Sequence, residues 1–414
     1  MPLLSMTLRS SLLLLAAGVC LAQTPAELNT DATVRAAMEA ARRNEPRTLD
    51  LQARLCEIPA PPFQEAVRGQ ELKRLFQELG LRDVRVDAAG NVIGVRPGKA
   101  ARPNLVFAAH LDTVFPEGTN VKVTRAGDLL KAPGIGDDCR GLAVLLAVIG
   151  ALNEAHVETP GTITFVADVG EEGMGDLRGM KSLFFDSLKG QIDKFVSVDG
   201  TGLGITNAGI GSNRYKVTFQ GPGGHSYGAF GMANPIQAMG RAIAKIDAFE
   251  VSRRPKTTFN VGRVGGGTSV NAIPFEAWME VDLRSADPAA LRDLDTRFNA
   301  AVQQAVADEN ARWNHNGPIT VSADLAGVRP AGQTARDSAI VQTAIAVART
   351  LQIEVGLHEG STDANVPMNL KIPAITIGGG GTGAGAHSLN ETFDADGCWR
   401  GTQRALLLAI ALAR

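Results

Sequence analysis

Short apolar runs of strand length alternate with helical segments in the first and last parts of the chain. The runs are rich in β-branched and apolar residues and cover residues 104–109, 162–167, 195–198 and 374–378. Each is continuously apolar, which is typical of strands covered by helices on both faces. Between the first two runs, residues 142–153 are apolar enough for a buried helix. The pattern predicts an α/β fold with a mixed, largely parallel sheet and helices on both faces.

An amphipathic pattern precedes these runs. Apolar residues recur at helical spacing before and after the proline-rich residues 58–62, where the helical pattern breaks. Residues 63–79 resume as an amphipathic helix, and Gly80 is placed to end it. Glu65 and Arg68 are expected on the solvated face of this helix.

The segment from residue 213 to residue 323 has the character of a separate α+β unit. Its pattern predicts the order strand, helix, strand, strand, helix, strand. Residues 278–284 alternate between apolar and polar side chains, which suits a sheet with helices on one face and solvent on the other. We expect an inserted domain at 213–323 within a first domain made of 23–212 and 324–414. One continuous domain is the alternative.

Length and charge restrict the class of protein. A chain of 414 residues exceeds what one hydrophobic core usually accommodates, which favours two domains. The formal net charge is -2 and the hydrophobic content is 44%. Such a balance provides no electrostatic basis for binding nucleic acid or an anionic membrane. We expect a soluble globular protein that binds neither.

Residues 1–22 have the features of a secretory signal peptide. Arg9 precedes an apolar stretch, residues 11–22, that is too short to span a bilayer comfortably and ends in small residues. An uncleaved anchor and a lipoprotein modified at Cys20 are the alternatives, and Val19 disfavours the second. We expect removal of this segment and a periplasmic or secreted protein.

Polar side chains with metal-ligand chemistry follow the ends of the apolar runs. The first run leads to His110 and Asp112, and a glycine-rich turn before the buried helix holds Asp137 and Asp138. The later runs are followed by Glu171, Glu172, Asp199 and His387. Because the carboxyl ends of parallel strands meet at one edge of an open sheet, we expect these side chains to lie close together.

Each motif alone has a simpler explanation. A His-x-Asp sequence is common, adjacent Asp residues before a helix often supply its N-cap, and a Glu-Glu pair is often solvated. Together, the candidates supply two imidazoles and three carboxylates: His110, Asp137, Glu172, Asp199 and His387. This set suffices for two zinc ions if one carboxylate bridges them. Asp112 can then accept the second ring N–H of His110, and Glu171 is free to act as general base.

The motifs stand in a definite order. They are His110-x-Asp112, Gly136-Asp137-Asp138, Glu171-Glu172-Gly173, Asp199, Gly223-Gly224-His225-Ser226, Asn271-Ala-Ile-Pro274 and His387. In this order they resemble the co-catalytic zinc metallopeptidase family that includes tripeptidase T, glutamate carboxypeptidase, succinyl-diaminopimelate desuccinylase and the aminoacylases. The resemblance extends over nearly all of the chain beyond the signal segment.

The resemblance implies how the metals are held. Asp137 would bridge two zinc ions, His110 and Asp199 would complete one site, and Glu172 and His387 would complete the other. Cobalt and manganese suit the same ligands. The family also implies that the inserted segment is a lid that often mediates dimerisation, so that a homodimer is expected.

The resemblance assigns roles to further residues. Asp112 would orient His110, and Glu171 would be the catalytic base. On the lid, His225 would stabilise the developing oxyanion, and Asn271 and Arg284 would hold the substrate carboxylate. A turn histidine among glycines is the alternative for His225. A surface ion pair is the alternative for Arg284.

The chain departs from many relatives just after the predicted bridging residue. Where they have Lys and then Gly, it has Cys139 and Arg140. Arg140 can replace the missing positive charge. Cys139 is either a redox-sensitive position or a small buried residue. With Cys56 and Cys398 it leaves an odd number of cysteines after signal removal, and an odd number cannot form a complete disulfide framework.

The type of the residue at position 199 bears on the substrate. By the same resemblance, Asp goes with aminopeptidases and dipeptidases, whereas Glu is usual in carboxypeptidases and deacylases. Asp199 therefore favours a tripeptidase-like or aminopeptidase-like enzyme acting on short peptides. The alternatives are an N-acyl amino acid amidohydrolase or a carboxypeptidase. A non-catalytic binder would need a broken catalytic set. Asp363 matches a family loop near the site, without an assigned role.

Overall fold

The computed structural model describes residues 23–414. The predicted signal peptide at residues 1–22 lies outside the described residues. Within the described chain, the helices fall short of the length and apolar character that crossing a membrane requires.

Helices cover much of the chain. In chain order they are α1 (Pro25–Leu28), α2 (Ala32–Arg43), α3 (Glu45–Cys56), α4 (Ala66–Glu78), α5 (Cys139–Glu154), α6 (Arg178–Ser182), α7 (Pro235–Asp247), α8 (Pro288–Arg312), α9 (Ala339–Thr350), α10 (Asn365–Asn369) and α11 (Trp399–Leu412). Gly80, at φ +75°, follows the C-cap of α4, as the sequence predicts.

Most strands belong to a central sheet or to the sheet of the inserted segment. In chain order the strands are β1 (Arg82–Val86), β2 (Val92–Arg96), β3 (Asn104–His110), β4 (Thr124–Ala126), β5 (Leu129–Lys131), β6 (Thr162–Asp168), β7 (Lys194–Val198), β8 (Ile205–Gly209), β9 (Gly211–Gln220), β10 (Gly224–His225), β11 (Thr257–Gly266), β12 (Ala272–Ile273), β13 (Glu276–Ser285), β14 (Thr320–Arg329), β15 (Gly332–Gln333), β16 (Leu357–Gly360), β17 (Ala374–Ile377), β18 (Thr382–Ala384) and β19 (Thr392–Asp394).

The central sheet has the strand order β1-β2-β6-β3-β7-β17-β8-β15, with β16 also paired to β8. Its middle strands β6, β3, β7 and β17 run parallel, and antiparallel pairs flank them on both sides. The four apolar runs of the sequence are these four middle strands. The predicted mixed, largely parallel α/β sheet is confirmed.

Helices cover both faces of this sheet, which explains why its middle strands are continuously apolar. On β3, Leu105 and Phe107 pack into a core with α2, α5, α9 and α11. The alternating residues Val106 and Ala108 pack on the opposite face, in a core with α6 and α10. Because helices cover both faces, charged residues appear in these four strands only at the ends.

The inserted segment forms its own antiparallel sheet, in the order β11-β13-β9-β14. Apolar residues of these strands, such as Val217 and Leu283, are buried against α7 and α8. The other face of the sheet carries polar side chains, as the alternation at 278–284 predicts. The sheet runs from Gly211 to Arg329, beyond both ends of the predicted range 213–323, because β9 and β14 stay paired up to Ser212 and Arg329.

The expected solvated positions on α4 are buried instead. Arg68 is fully buried and donates to the carbonyl oxygens of Ile58 and Leu111. The Glu65 carboxylate, also buried, accepts from Arg178. The prediction was wrong because helical spacing identifies only the apolar positions of a helix. These two polar side chains are buried because Arg68 pairs with carbonyl groups, and Glu65 with a cation, of other segments.

Arg140 is also buried and does not reach the edge of the sheet where the ligand candidates lie. Its guanidinium lies 2.7 Å from Oε1 of Glu45, and it donates to the Thr402 hydroxyl and to the carbonyl oxygens of Gly379 and Cys398. This network joins α3, α5 and α11. Arg140 therefore does not replace the positive charge expected near the metals.

We expect Arg140→Leu to lower the free energy of unfolding by about 3–5 kcal/mol, because the buried Glu45 carboxylate loses its cation. Urea denaturation followed by circular dichroism measures this change. Arg125→Leu is the matched control: Arg125 forms an ion pair with Asp50 at 3.3 Å on the surface, and its loss should cost less than about 1 kcal/mol. Equal effects of the two variants would contradict the structural role of Arg140.

Candidate metal centre

The ligand candidates meet at one edge of the central sheet. His110 is the last residue of β3, and Asp199 directly follows β7. Asp137 lies in the turn before α5, and Glu172 follows β6 after a short loop. Parallel strands place their carboxyl ends side by side, so strand pairing alone brings most of these side chains together.

The two adjacent aspartates of the turn have different roles. Asp138 is the N-cap of α5, and its carboxylate accepts from the backbone N–H groups of Gly141, Gly200 and His110. The N-cap alternative therefore holds for Asp138. Asp137 faces the two imidazoles instead, and the peptide bond between Asp137 and Asp138 is cis.

The Asp137 carboxylate lies between two histidines. Its Oδ1 is 3.0 Å from Nε2 of His110, and its Oδ2 is 3.1 Å from Nε2 of His387. Nε2 of His387 also lies 3.0 Å from Oε1 of Glu172. Each oxygen of one carboxylate thus faces a different imidazole, which is the arrangement that a bridging ligand requires.

Two groups of possible ligands share Asp137. One is His110, Asp137 and Asp199, and the other is Asp137, Glu172 and His387. The ligand atoms within each group lie within 4.8 Å of one another. A third group joins His110 to Glu171 and Glu172 at the same spacing. Imidazole nitrogen and carboxylate oxygen are ligands that suit zinc and related divalent ions.

Asp112 fixes its neighbours through both its backbone and its side chain. Nδ1 of His110 donates to the carbonyl oxygen of Asp112 at 3.0 Å, whereas the Asp112 carboxylate is 3.6 Å away. Because a carbonyl can only accept, Nδ1 carries the proton and Nε2 of a neutral His110 is free to bind a cation. The carboxylate instead accepts from the backbone N–H groups of Glu171 and Glu172, at 3.1 and 2.8 Å.

Glu391 is a site residue that the sequence did not reveal. Its buried carboxylate accepts from the backbone N–H groups of Gly134, Gly136 and Asp137, at 2.8–3.1 Å. It therefore ties the loop that holds His387 to the turn that holds Asp137. No strand end or motif precedes Glu391, so only its contacts identify it.

Arg329, at the end of β14, also escaped prediction. Its guanidinium lies 3.0 Å from Oε1 of Glu171, donates to the Glu171 carbonyl oxygen, and donates to the Ser361 hydroxyl at 3.1 Å. The predicted last strand ended at Ala323. The strand continues through a bulge after Leu325 to Arg329, a charged residue at the strand end beside Pro330.

Burial and the concentration of carboxylates alter the pKa values of the site. Burial, with Glu171 and Asp137 nearby, raises the pKa of Glu172 to about 7. Burial also raises the pKa of Glu171, although Arg329 opposes this shift. The hydrogen bond to Asp137, assisted by the charge of Glu172, raises the pKa of His387 to about 9. In contrast, His110 and His387 lower the pKa of Asp137 despite its burial.

Asp363 lies behind the site beside Asp168, the last residue of β6. Both carboxyl groups are fully buried, and in the described chain no other group donates to either of them. Burial raises both pKa values, that of Asp168 to about 8. The two acids therefore form a buried pair in which simultaneous ionisation of both carboxyl groups is unfavourable.

A cavity of about 460 Å³ opens over the ligand candidates. Its lining includes Asp137, Glu171, Glu172, Asp199 and His387. The inserted sheet adds three arginines to this lining: Arg214, Arg284 and Arg329. Arg284 lies 2.6 Å from Asp282 and so forms the ion pair that the sequence offered as the alternative to substrate binding. It also borders the cavity. A substrate anion would face these arginines.

His225 and Asn271 lie outside this cavity lining in the described chain. They are neighbours: β10 pairs with β12, and Ser226 N–H donates to the Asn271 carbonyl oxygen at 2.9 Å. His225 is exposed, and its Nδ1 accepts from the backbone N–H groups of Tyr227 and Gly228. The structure brings these two predicted residues to each other and not to the ligand candidates.

Comparison with known proteins places the chain in a family. A family model described as peptidase family M20/M25/M40 matches residues 106–411. The uncharacterized protein YqjE of Bacillus subtilis is 27% identical over 353 residues, 81% of this chain and 90% of its own length. Carboxypeptidase G2 of a Pseudomonas species is 27% identical over 248 residues, 56% of this chain and 58% of its own.

The fold agrees with a solved structure. The crystal structure of aminopeptidase PepT from Bacillus cereus superposes with a TM-score of 0.73 at 22% identity, covering 90% of this chain and 99% of that one. The family match extends over most of the chain and includes each ligand candidate. The chain therefore belongs to peptidase family M20/M25/M40 and is a hydrolase of the metallopeptidase class.

Proposed function

We propose that this protein is an exported hydrolase with two zinc ions that cleaves amide bonds of short peptides, as a tripeptidase or aminopeptidase does. The observation that carries the proposal is the Asp137 carboxylate, whose two oxygens face His110 and His387 at 3.0 and 3.1 Å. The remaining acids complete two ligand groups around this shared residue.

The donor set fits two divalent cations. His110 and Asp199 would hold one with Asp137, and Glu172 and His387 would hold the other. Buried carboxylates outnumber the imidazoles that oppose them, so bound cations would offset a charge that is costly to bury. Bound zinc, cobalt or manganese supplies Lewis acidity that lowers the pKa of a water molecule and polarises the scissile carbonyl.

Glu171 is the proposed general base. It borders the cavity but belongs to neither of the two groups that share Asp137. The pKa of its carboxyl group is raised, which makes it a better acceptor for the proton of the attacking water. The same group would later deliver this proton to the leaving amine. Arg329 donates to Oε1 of Glu171. The backbone N–H of Glu171 donates to the Asp112 carboxylate, which fixes the backbone at this position.

The arginines of the cavity favour a substrate with a free carboxylate. Arg284 lines the cavity together with the ligand candidates; its Nε donates to Asp282, which leaves its two terminal nitrogens to bind a carboxylate with paired N–H donors. Both a short peptide and an N-acyl amino acid carry a carboxylate at the required end. The aminopeptidase assignment therefore rests on Asp199. The alternative is an N-acyl amino acid amidohydrolase or a carboxypeptidase, and one relative of this chain carries the name carboxypeptidase G2.

His225 would complete the site from a second subunit. It is exposed and lies outside the cavity lining of its own chain. Exposed apolar side chains surround it on the inserted segment, including Tyr227, Val270 and Phe275, and such a group is typical of a protein–protein contact. We propose a homodimer through this segment, in which His225 stabilises the oxyanion and Asn271 contacts the substrate in the partner's site. Closure of the lid over its own site is the alternative.

Export rests on the N-terminal pattern alone. Removal of residues 1–22 would leave a protein that begins near Gln23 in the periplasm or outside the cell. N-terminal sequencing of protein recovered from each cell fraction tests this proposal, and an intact Met1 would overturn it.

We expect zinc-reconstituted protein to hydrolyse tripeptides and dipeptides with free amino termini, and metal-free protein to be inactive, because the cations activate the water. N-acyl amino acids should remain intact. Initial rates on one panel of these substrates measure the difference. Zinc-dependent cleavage of the acyl substrates alone would replace the peptidase assignment with the amidohydrolase.

The Glu171→Gln variant is the control that separates catalysis from binding. Loss of the base should lower kcat by about 10²–10⁴-fold, while zinc content and inhibitor affinity stay close to those of the unaltered protein. Turnover at the original rate would overturn the role of Glu171.

Zinc affinity should rise with pH. In protein freed of metal, the pKa of His387 is raised to about 9, so its imidazole is protonated at pH 7 and must lose this proton to bind zinc. The apparent association constant should increase about tenfold per pH unit for each proton displaced, between about pH 6 and pH 8. Calorimetry in buffers of different ionisation enthalpy measures the protons released.

His387→Ala should release one proton fewer, whereas His315→Ala, at an exposed position away from the site, should leave the number unchanged. A zinc affinity independent of pH would exclude the proposed ligands.

Mixing two inactive variants tests where His225 acts. If it serves the partner's site, a dimer of one Glu171→Gln subunit and one His225→Ala subunit contains one complete site. We expect activity in the mixture that neither variant shows alone. His156→Ala, another exposed histidine, controls for loss of an imidazole. A monomer by light scattering, or a mixture without activity, would favour lid closure within one chain.

A further inference from the structure

A second cavity of about 460 Å³ adjoins the first and has no part in the chemistry proposed above. It lies on the face of the inserted sheet that is turned away from α7 and α8. Arg214 lines both cavities and therefore marks their junction. Its guanidinium donates to the carbonyl oxygen of Gly173, next to Glu172.

The alternation of the strands builds the walls of this cavity. Lys216 on β9, Glu280 on β13 and Asn260 on β11 alternate with residues that pack against the helices. Gly262 lies at a bulge of β11 after Asn260, and a Cβ added to it would lie 3.2 Å from Nδ2 of Asn260, so its missing side chain leaves space at the cavity. Met174, which is 59% exposed, closes the cavity from the loop after Glu172.

The charges of the cavity are largely paired with one another. Arg263 lies 3.0 Å from Glu280, and Arg214 lies 3.4 Å from Asp282. Met174 and Ala326 contribute apolar surface, as do the aliphatic stems of the long charged side chains. A cavity with paired charges and apolar walls suits a large apolar group better than a second anion.

We propose that this second cavity binds the side chain of the substrate residue that carries the free carboxylate, and selects large apolar side chains there. With the carboxylate at Arg284 in the first cavity, that side chain would extend past Arg214 into the second. The inference rests on the proposed function, because it takes the orientation of the substrate from Arg284. It makes Gly262 and Met174 residues that determine specificity.

The test compares peptides Ala-Ala-X and acyl amino acids N-acetyl-X, with X as Ala, Leu, Met or Phe, on the zinc-loaded full chain. We expect kcat/KM to be about tenfold or more higher for large X than for Ala, on whichever series is cleaved. Gly262→Leu should remove this preference by raising KM for large X, with little effect when X is Ala. Gly262 has no left-handed φ, so a side chain fits its backbone.

Two further variants keep the test decisive. Gly240→Leu, on the exposed side of α7 where a Cβ would contact nothing within 4 Å, should leave the preference intact. Met174→Ala should weaken it if Gly262→Leu fails to fold. Equal kcat/KM for all X, or a preference that Gly262→Leu leaves unchanged, would overturn the proposal.

Binding separates this inference from the proposed function. If neither series is hydrolysed, the proposed function fails. The affinities of free alanine, leucine, methionine and phenylalanine for the zinc-loaded protein, measured by calorimetry, then decide the subsite. Tighter binding of the large amino acids that Gly262→Leu abolishes supports the cavity, and equal binding of all four overturns it.

Discussion

The uncompensated negative charge around Asp137 governs the site. Asp137, Glu172 and Asp199 are crowded into a largely buried space with only two imidazoles opposite them. Burying like charges is costly, and the cost appears in the raised pKa values of Glu172 and Asp199. Bound cations relieve it directly. The crowding that destabilises the metal-free protein is therefore what gives the site its affinity for metal.

The positions of these acids depend on three other carboxylates that accept backbone N–H groups. Asp112 holds the Glu171–Glu172 segment, Asp138 joins the ends of β3 and β7 to α5, and Glu391 fixes the turn before Asp137. Each links segments that are distant in the sequence. Charged acceptors form strong hydrogen bonds to backbone amides, so three carboxylates that are not ligand candidates hold the backbone of the ligand candidates in place.

The inserted sheet supplies the opposite charge. Its helix-facing residues build a core of their own, while its other face carries arginines to the cavity. Arg329 contacts Glu171, and Arg214 joins the two cavities. In the proposed function, this one sheet face would recognise the carboxylate of a substrate, position the base and select the neighbouring side chain. A movement of the inserted segment would change all three properties together.

The sequence by itself determined the middle strands, the buried helix, the alternation of the inserted sheet and the set of ligand candidates, because periodicity and strand ends are local properties. It placed Glu65 and Arg68 in solvent and Arg140 near the metals, and it missed Glu391 and Arg329. Arg329 has a local signal in the strand that ends beside Pro330, but its contact with Glu171 does not. The other four have no local signal: their positions follow from carbonyl groups, amides and charges of segments far away in the chain. Only the tertiary structure decides such contacts, since a buried polar group must find its partner wherever the fold brings one.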